Sequence, residues 1–413
     1  MPADTDVVII GGGLAGLAAA RRLHRAGTPW RLLEAGDRLG GRIATDAVDG
    51  FLLDRGFQVL NTAYPRLGTL LDVDRLNLGT FTSGVLVRRD DRLIRLVNPL
   101  REPAGGPRTT FAGIGSLNDR LRFAGLAAGC ATLPAARLLA APETTSQAAL
   151  RRAGLSDAII EELIRPFLAG VFIDWELETS SRVLAMVLRS FARGRIGLPA
   201  EGMAALPRAI AAPLPTDLIE LHTPVAEVAP GRVRTPAGEI RCRAVLVAVD
   251  PPAASTLLPG LATVRMHSYT TYYHVTDAAP LDEPILLVDG DRREVIANTV
   301  VVSHAAPTYA PAGQHLVATS VVGPTPPPEP TVRAELTRLY GRSTADWTHL
   351  TTVRVPAALP AAPPPQGRLR KPVALGDGLF VAGDHRASPS IQGALASGWR
   401  AAGAVLDELR AAG

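Results

Sequence analysis

Lysine and cysteine are scarce in this sequence. Among its 413 residues, Lys371 is the single lysine, and Cys130 and Cys242 are the two cysteines. The cysteines have neither a CxxC nor a metal-ligand spacing, and the eight histidines are dispersed, so we expect no disulfide framework and no metal site. Such cysteine usage is typical of a reducing compartment, and we therefore expect a cytoplasmic protein.

Long apolar runs and concentrated positive charge are also missing. The most lipid-like stretch, residues 123–141, contains Pro134 and Arg137 and has no run of about 20 apolar residues. The first residues include acids where a signal peptide would be basic. The formal net charge is +4 and the arginines are scattered, so we expect no nucleic-acid partner. Peripheral contact with a membrane surface stays open.

The chain does have enough apolar material for large cores. Hydrophobic residues make up 47% and charged residues 20%, and the length favours two domains. We expect an α/β fold, α+β overall, in which a Rossmann-like dinucleotide-binding domain comprises residues 1–75, 195–261 and 370–413. Residues 76–194 and 262–369 would form an inserted substrate-binding domain of mixed sheet plus helices.

Strand and helix patterns place the nucleotide-binding unit at both ends of the chain. Apolar runs predict strands at 7–10 and 378–382, each followed by a glycine turn and a helix, the second helix over 390–409. Residues 76–208 show a mostly helical pattern, whereas 263–322 show alternating runs typical of strands.

The first glycine turn matches a dinucleotide-binding fingerprint. Gly11, Gly13 and Gly16 lie between a strand and a helix, and Glu34 follows roughly 20 residues later. Gly11 permits the tight turn, Gly13 lets the backbone approach a pyrophosphate, and Gly16 allows close helix packing. The helix N-terminus favours negative charge, and Glu34 can accept hydrogen bonds from a ribose. This motif alone does not distinguish NAD from FAD.

Two further motifs make the distinction. Gly40-Gly41-Arg42 follows the acidic residue, and the chain ends with a Gly383-Asp384 turn before a small-residue helix. Together with the first fingerprint, they resemble the flavin amine oxidase superfamily, which includes phytoene desaturases, carotenoid isomerases and protoporphyrinogen oxidases. The resemblance implies one non-covalently bound FAD in a domain of the glutathione-reductase-like type.

The same resemblance implies which residues contact the cofactor. The glycines of the fingerprint would meet the pyrophosphate, Glu34 the adenosine ribose, Val225 the adenine, and Asp384 a phosphate or ribityl oxygen. The implied set is Gly11, Gly13, Leu14, Ala15, Gly16, Glu34, Ala35, Gly40, Gly41, Arg42, Gly56, Phe57, Val225, Gly383, Asp384, Ile391 and Gln392.

Candidate substrate-binding residues come from apolar or aromatic segments. Residues 53–59 resemble the family segment beside the flavin ring, and residues 268–274 predict an alternating strand with Tyr269, Thr271 and Tyr273 on one face. Ordinary packing is an equally good interpretation for several of them. The candidates are Phe57, Gln58, Phe167, Phe172, Tyr272, Tyr273 and His385.

These motifs predict an FAD-dependent oxidoreductase that dehydrogenates a largely apolar small molecule, polyene or isoprenoid-like, by hydride transfer to flavin. Many amine oxidases of the superfamily keep a lysine near the flavin, and Lys371 does not match its position. A redox-neutral isomerase, an amine oxidase, an NAD-dependent dehydrogenase and a non-catalytic FAD-binding protein stay open as alternatives. Either O₂ or a quinone could accept the electrons.

Overall fold

A computed structural model describes residues 3–98, 101–102 and 113–411. Its strands are β1 (Thr5–Ile10), β2 (Trp30–Leu33), β3 (Thr45–Val48), β4 (Phe51–Asp54), β5 (Leu60–Asn61), β6 (Leu78–Thr80), β7 (Gly84–Arg89), β8 (Arg92–Val97), β9 (Ile196–Pro199), β10 (Ile219–Glu220), β11 (Glu227–Ala229), β12 (Arg232–Thr235), β13 (Gly238–Val247), β14 (Met266–Thr276), β15 (Leu286–Asp289), β16 (Asn298–Val301), β17 (His315–Val322), β18 (Thr348–Pro360), β19 (Ala374–Gly376) and β20 (Leu379–Val381).

The helices are α1 (Leu14–Arg25), α2 (Leu67–Leu70), α3 (Leu117–Thr132), α4 (Ala135–Ala140), α5 (Ser146–Arg152), α6 (Asp157–Ile159), α7 (Arg165–Phe172), α8 (Ser181–Arg193), α9 (Ala205–Ala211), α10 (Pro251–Leu257), α11 (Val302–Ala305), α12 (Glu329–Tyr340) and α13 (Ile391–Ala411). Short 3₁₀ turns cover Val73–Leu76, Thr216–Leu218, Pro307–Tyr309 and Asp384–Arg386, and a π-helical turn covers Ile160–Ile164. Within the described ranges, none of these helices combines the length and apolarity needed to cross a membrane.

An eight-stranded sheet unites the beginning, middle and end of the chain. Its order is β10-β2-β1-β13-β12-β11, with β20 beside β13 and β19 beside β20. β10, β2, β1, β13 and β20 run parallel, and Val7 pairs with both Trp30 and Ala244. All four residues Val7 to Ile10 are buried because helices or loops cover both faces, as expected for a parallel strand. The predicted α/β fold is confirmed.

The first and last helices of this sheet pack at very short range. A Cβ added at Gly398 of α13 would lie 1.9 Å from the carbonyl oxygen of Ala15 in α1. No side chain fits in that gap, so the glycine allows the two backbones to touch. Arg22 strengthens the contact by donating to the carbonyl of Trp399 at 2.7 Å while its guanidinium lies over that indole ring. The two ends of the chain are thereby held together.

A second sheet of seven strands has the order β18-β14-β17-β16-β15-β7-β8. One face packs on α5, α7 and α8 through Val85 and Val87, and the other packs on α12 through Leu86. The mostly helical prediction for residues 76–208 is therefore wrong over β7 and β8, and also over β6 and β9. Since β7 is buried on both faces, its sequence is a continuous apolar run without the polar alternation that identifies a strand.

A small three-stranded sheet of order β5-β9-β6 connects the two large sheets. Leu60 of β5 pairs with Gly197 of β9, and Leu78 of β6 pairs with Pro199. All strands of the eight-stranded sheet lie in the ranges predicted for nucleotide binding, and all strands of the seven-stranded sheet lie in the inserted ranges. β6 and β9 pair across the predicted boundary, and the division into domains stays a prediction.

A buried carboxylate also connects residues of the predicted nucleotide-binding ranges with residues of the inserted ranges. Asp54 of β4 accepts hydrogen bonds from the Thr45 hydroxyl at 2.5 Å, the Met203 amide at 2.9 Å and the Tyr309 hydroxyl at 2.7 Å. Its backbone carbonyl accepts from the Tyr273 hydroxyl at 2.8 Å. Burial outweighs these hydrogen bonds and raises the pKa of Asp54 to about 6. The neutral carboxyl group is therefore favoured by folding.

We predict that replacing Asp54 with asparagine changes how stability depends on pH. A carboxyl group whose pKa is raised on folding stabilises the native state below its unfolded pKa, and this contribution is lost as pH rises through about 6. Relative to D54N, the wild type should lose roughly 2 kcal/mol of unfolding free energy between about pH 4 and 7. Urea unfolding of both proteins across this range measures the difference.

The matched control is Asp46→Asn, because Asp46 is exposed and pairs with Arg55. Its difference from the wild type should stay constant over the same pH range, since its pKa is lowered by Arg55. A D54N difference that is also constant would contradict the role given to burial.

Candidate functional site

The turn between β1 and α1 leaves one glycine open to a ligand. Gly11 has φ +102°, and an added Cβ would lie 2.9 Å from the carbonyl oxygen of Ala248, so this position is closed. At Gly13 an added Cβ would meet only the Cα of Gly41, at 4.0 Å. The Gly40 amide donates to the Gly12 carbonyl at 2.9 Å. The two N-terminal glycine motifs thus face each other, with space above Gly13 of the kind a pyrophosphate needs.

The predicted ribose-binding acid lies beside this turn. The two carboxylate oxygens of Glu34 accept hydrogen bonds from the Gly12 amide at 2.6 Å and the Gly36 amide at 2.8 Å. The Glu34 carbonyl accepts from the Thr223 amide at 2.8 Å, which brings the segment containing Val225 to the same edge of the sheet. The contact of Val225 with adenine stays a prediction.

An ion pair connects the second motif with the third. Arg42 binds the Asp384 carboxylate at 2.7 Å, and its other terminal nitrogen donates to the Ala358 carbonyl at 2.7 Å. Gly383 has φ +151°, and an added Cβ would lie 2.4 Å from Nδ1 of His385. Arg42 therefore contacts both the Gly383-Asp384 turn and β18 of the second sheet.

The helix that follows this turn begins at Ile391. The Gly383 amide donates to the hydroxyl of Ser397 at 2.9 Å, which fixes the turn against α13. The side-chain oxygen of Gln392 accepts from the Arg66 amide at 3.1 Å. The positive end of α13 consequently lies at the Gly383-Asp384 turn, where it favours an anionic or electron-rich ligand group.

The segment predicted to run beside the flavin packs on the second sheet. Gly56 has φ +93°, and an added Cβ would lie 3.5 Å from the ring of Tyr269. The Phe57 amide donates to the Thr271 hydroxyl at 3.0 Å, and the Phe57 ring meets that of Phe81 edge-on with centroids 6.1 Å apart. Tyr269 and Thr271 thus share the face of β14 that points to this segment.

Buried polar atoms at the junction of the motifs have no protein partner. Within the described ranges, Oε1 of Gln58 and both ring nitrogens of His385 accept or donate no hydrogen bond, although Nε2 of Gln58 donates to the Arg42 carbonyl at 3.1 Å. His385 is 4% exposed, and burial lowers its pKa to about 4 despite the neighbouring Asp384. The neutral imidazole therefore has one donor and one acceptor.

Unsatisfied buried polar atoms of this kind call for a polar ligand. FAD has phosphate, ribityl and ring groups that match them, and the open backbone at Gly13 suits its pyrophosphate. The residues fit the cofactor: Gly13, Glu34, Arg42, Asp384 and the start of α13 would hold it.

The predicted substrate residues do not all come together. Phe57, Gln58 and His385 lie near the motifs, and Tyr273 lies on the face of β14 that contacts Asp54. Their role in substrate binding stays a prediction. The other three side chains lie elsewhere, because each points away from the segment around Phe57.

Tyr272 points to the opposite face of β14, where its hydroxyl donates to the Pro327 carbonyl beside α12. Phe167 and Phe172 belong to the core of α5, α7 and α8, and the Phe167 ring lies 5.5 Å from that of Phe191. The structure does not bring these three side chains to the segment around Phe57.

Sequence reasoning missed several residues of the site. Ala358 contributes through its backbone carbonyl, for which no sequence signal exists. Ser397 contributes a hydroxyl from inside α13, where the small residues of the sequence predict only helix packing. The alternation of the strand does place Tyr269 on one face with Tyr273, but only Tyr273 is among the candidates.

We predict that Glu34→Gln weakens FAD binding about 10- to 100-fold, because an amide keeps one acceptor where the carboxylate serves two backbone donors and a ribose. Titration of the apoprotein with FAD measures the dissociation constant. The control is Glu220→Gln on the neighbouring strand, whose half-exposed carboxylate pairs with Arg31. Equal affinities of the two variants would argue against the assignment of Glu34.

Comparisons with known proteins agree with this geometry. The family model described as flavin-containing amine oxidoreductase matches residues 14–406. Chloroplastic protoporphyrinogen oxidase 1 of Arabidopsis thaliana is 31% identical over 175 residues, which are 41% of this chain and 30% of that protein. Putrescine oxidase of Kocuria rosea is 45% identical over 78 residues, 19% of this chain and 16% of that protein. These matches span less than a third of the relatives' own length.

A solved structure, the cyclohexylamine oxidase from Brevibacterium oxydans, superposes with a TM-score of 0.74 at 19% identity and covers 99% of this chain and 100% of that one. This similarity shows a common fold. The family match covers nearly the whole chain and includes the fingerprint helix and the C-terminal motif. The chain therefore belongs to the flavin-containing amine oxidoreductases, a family whose standard cofactor is FAD.

Proposed function

We propose that this protein is an oxidoreductase that dehydrogenates a largely apolar small molecule, with FAD accepting a hydride and the second hydrogen leaving as a proton. The supporting observation is the composition of the surface that the segment around Phe57 forms together with the side chains it contacts. It is made of the rings of Phe57, Phe81 and Tyr269 and of the aliphatic side chain of Val355, which lies 3.6 Å from the position a Cβ would take at Gly56. A surface of this kind binds an apolar substrate.

The polar groups on this surface are already engaged. The Tyr269 hydroxyl pairs with that of Ser320 at 2.5 Å, and the Thr271 hydroxyl accepts from the Phe57 amide. Burial raises the pKa of Tyr269 to about 12, so the phenol keeps its proton near neutral pH. These side chains can position a substrate and exclude water, but they do not supply a base.

When bound, FAD supplies the oxidising chemistry itself, so the protein needs few reactive side chains. The contributions of this chain are the clamp formed by Arg42 and Asp384, the neutral imidazole of His385 and the positive end of α13. All three lie beside the glycine turns of the eight-stranded sheet, whereas the apolar surface lies against the seven-stranded sheet.

Amine oxidation is the competing proposal, because relatives of this chain include a putrescine oxidase. The single lysine, Lys371, lies just before β19. Its backbone amide donates to the Arg386 carbonyl at 3.1 Å. Burial lowers the pKa of Lys371, and Arg386 lowers it further. Lys371 is thus held beside the C-terminal turn and not on the face of β14 that carries Tyr269.

Anaerobic mixing of the holoenzyme with candidate substrates tests the proposal. Polyene or isoprenoid compounds should bleach the oxidised flavin band, whereas primary amines and polyamines should not. Product mass then separates the reactions, since dehydrogenation removes two hydrogens and isomerisation removes none. Reoxidation of the reduced enzyme by O₂ or by a soluble quinone identifies the acceptor. Bleaching by amines alone would overturn the proposal in favour of amine oxidation.

We also propose that α3 brings the enzyme to a membrane surface, which is where an apolar substrate accumulates. Leu117 and Leu121 are 70% and 64% exposed, and they lie one turn apart on the same side of α3. Arg122 of the same helix and Arg137 of α4 are also exposed. An apolar ridge accompanied by arginines suits the interface of an anionic bilayer.

We predict that the double variant Leu117→Ser, Leu121→Ser loses about tenfold or more in its binding to vesicles that contain phosphatidylglycerol, because it removes two exposed leucines that would insert into the bilayer interface. Co-sedimentation measures the bound fraction. The control is Leu375→Ser on β19, which removes a leucine that is 43% exposed outside this ridge. Equal binding of the wild type and the double variant would exclude α3 as the contact.

A further inference from the structure

A cavity of about 650 Å³ lies at the edge of the three-stranded sheet β5-β9-β6. Its volume is in the range of small-molecule sites. The lining is polar and contains three arginines and one acid. The residues are Thr62, Thr80, Phe81, Ser83, Arg101, Glu102, Arg193 and Arg195.

Within the described ranges, the arginines of this cavity lack the carboxylate partners that several other arginines of the protein have. Arg42, Arg95 and Arg338 each bind a carboxylate at 2.6–2.7 Å. By contrast, the Arg195 guanidinium has no hydrogen bond or ion pair with any residue in 3–98, 101–102 or 113–411, and Arg193 reaches only the Ala131 carbonyl, at 3.4 Å. Two cationic side chains at the cavity therefore have donors available.

The remaining charged residues of the lining are already used. Arg101 donates to the carbonyls of Ala192, at 2.6 Å, and Gly194, which fixes the end of α8. Glu102 accepts from the Ser83 amide at 3.1 Å. With three arginines and one glutamate, the cavity has a net positive charge, and a guanidinium binds carboxylate and phosphate oxygens in preference to other groups.

The inner wall of the cavity reaches the proposed substrate surface. Phe81 lines the cavity and also meets Phe57 edge-on, and Phe57 belongs to the segment predicted to lie beside the flavin. Arg193 and Arg195 are exposed, whereas Phe81 is partly buried. Polarity thus changes from cationic at the outside to aromatic at the inside.

We propose that this cavity binds the anionic end of the substrate, and that the substrate is an amphipathic molecule with a carboxylate or phosphate group attached to an apolar body. The inference rests on the proposed function, because it places the apolar body along Phe81 and Phe57. Arg193 and Arg195 bind the anionic group, and Arg101 shapes the cavity that holds them.

Calorimetric titration of the holoenzyme with decanoate, decyl phosphate and decan-1-ol tests the inference. At least one of the two anionic probes should bind about tenfold or more tightly than the alcohol, because charge-assisted hydrogen bonds are added to the same apolar chain. Tight binding of decanoate identifies a carboxylate, and tight binding of decyl phosphate alone identifies a phosphate ester.

The variant Arg193→Gln, Arg195→Gln should reduce this preference about tenfold while leaving the affinity for decan-1-ol unchanged. The control is Arg92→Gln at the start of β8, which removes an exposed arginine outside the cavity that has no ion pair within the described ranges. Equal binding of all three probes, or a double variant that keeps the full preference, would overturn the inference.

These results are independent of turnover. If the anionic probes bind as expected but no compound bleaches the flavin, the proposed dehydrogenation is wrong and the cavity assignment stands. If uncharged polyenes bleach the flavin and the anionic probes show no preference, only the cavity assignment is wrong.

Discussion

The ion pair between Arg42 and Asp384 is the contact on which the candidate cofactor site depends. It joins motifs 342 residues apart, and the same guanidinium also reaches β18 through the Ala358 carbonyl. A single planar cation with several fixed donors can make both contacts at once, which a lysine ammonium could not do with the same geometry. The glycine turns on either side of this pair keep side chains out of the space proposed for the cofactor. Charge and the absence of side chains therefore act together to form the site.

Asp54 has a comparable position in the packing between the two large sheets. Its carboxylate accepts hydrogen bonds from the Tyr309 hydroxyl and the Met203 amide, and its backbone carbonyl accepts one from the Tyr273 hydroxyl. Because Asp54 immediately precedes the segment that contains Gly56 and Phe57, this network also determines where that segment lies. The same hydrogen bonds consequently contribute to stability and to the shape of the proposed substrate surface.

Much of the nucleotide-binding part could be predicted because its signals are local. The turn at Gly11 to Gly16, the acid at Glu34 and the final strand and helix each need only a short window of sequence, and their order along the chain brings them to one sheet edge. Strand β7 could not be recognised, since a strand covered on both faces loses its polar alternation. The contact of Ala358 and the core positions of Phe167 and Tyr272 depend on packing between distant segments, which no local pattern encodes.

The close packing of α1 against α13 has a consequence for how the protein is made. β1 emerges from the ribosome well before its parallel neighbour β13, and β20 and α13 follow later still. Until those segments are synthesised, the backbone surface at Ala15 that Gly398 covers is open to water and to other chains. A growing polypeptide can thus complete its seven-stranded sheet before α13 is available to pack on α1, and flavin capture would follow the synthesis of α13.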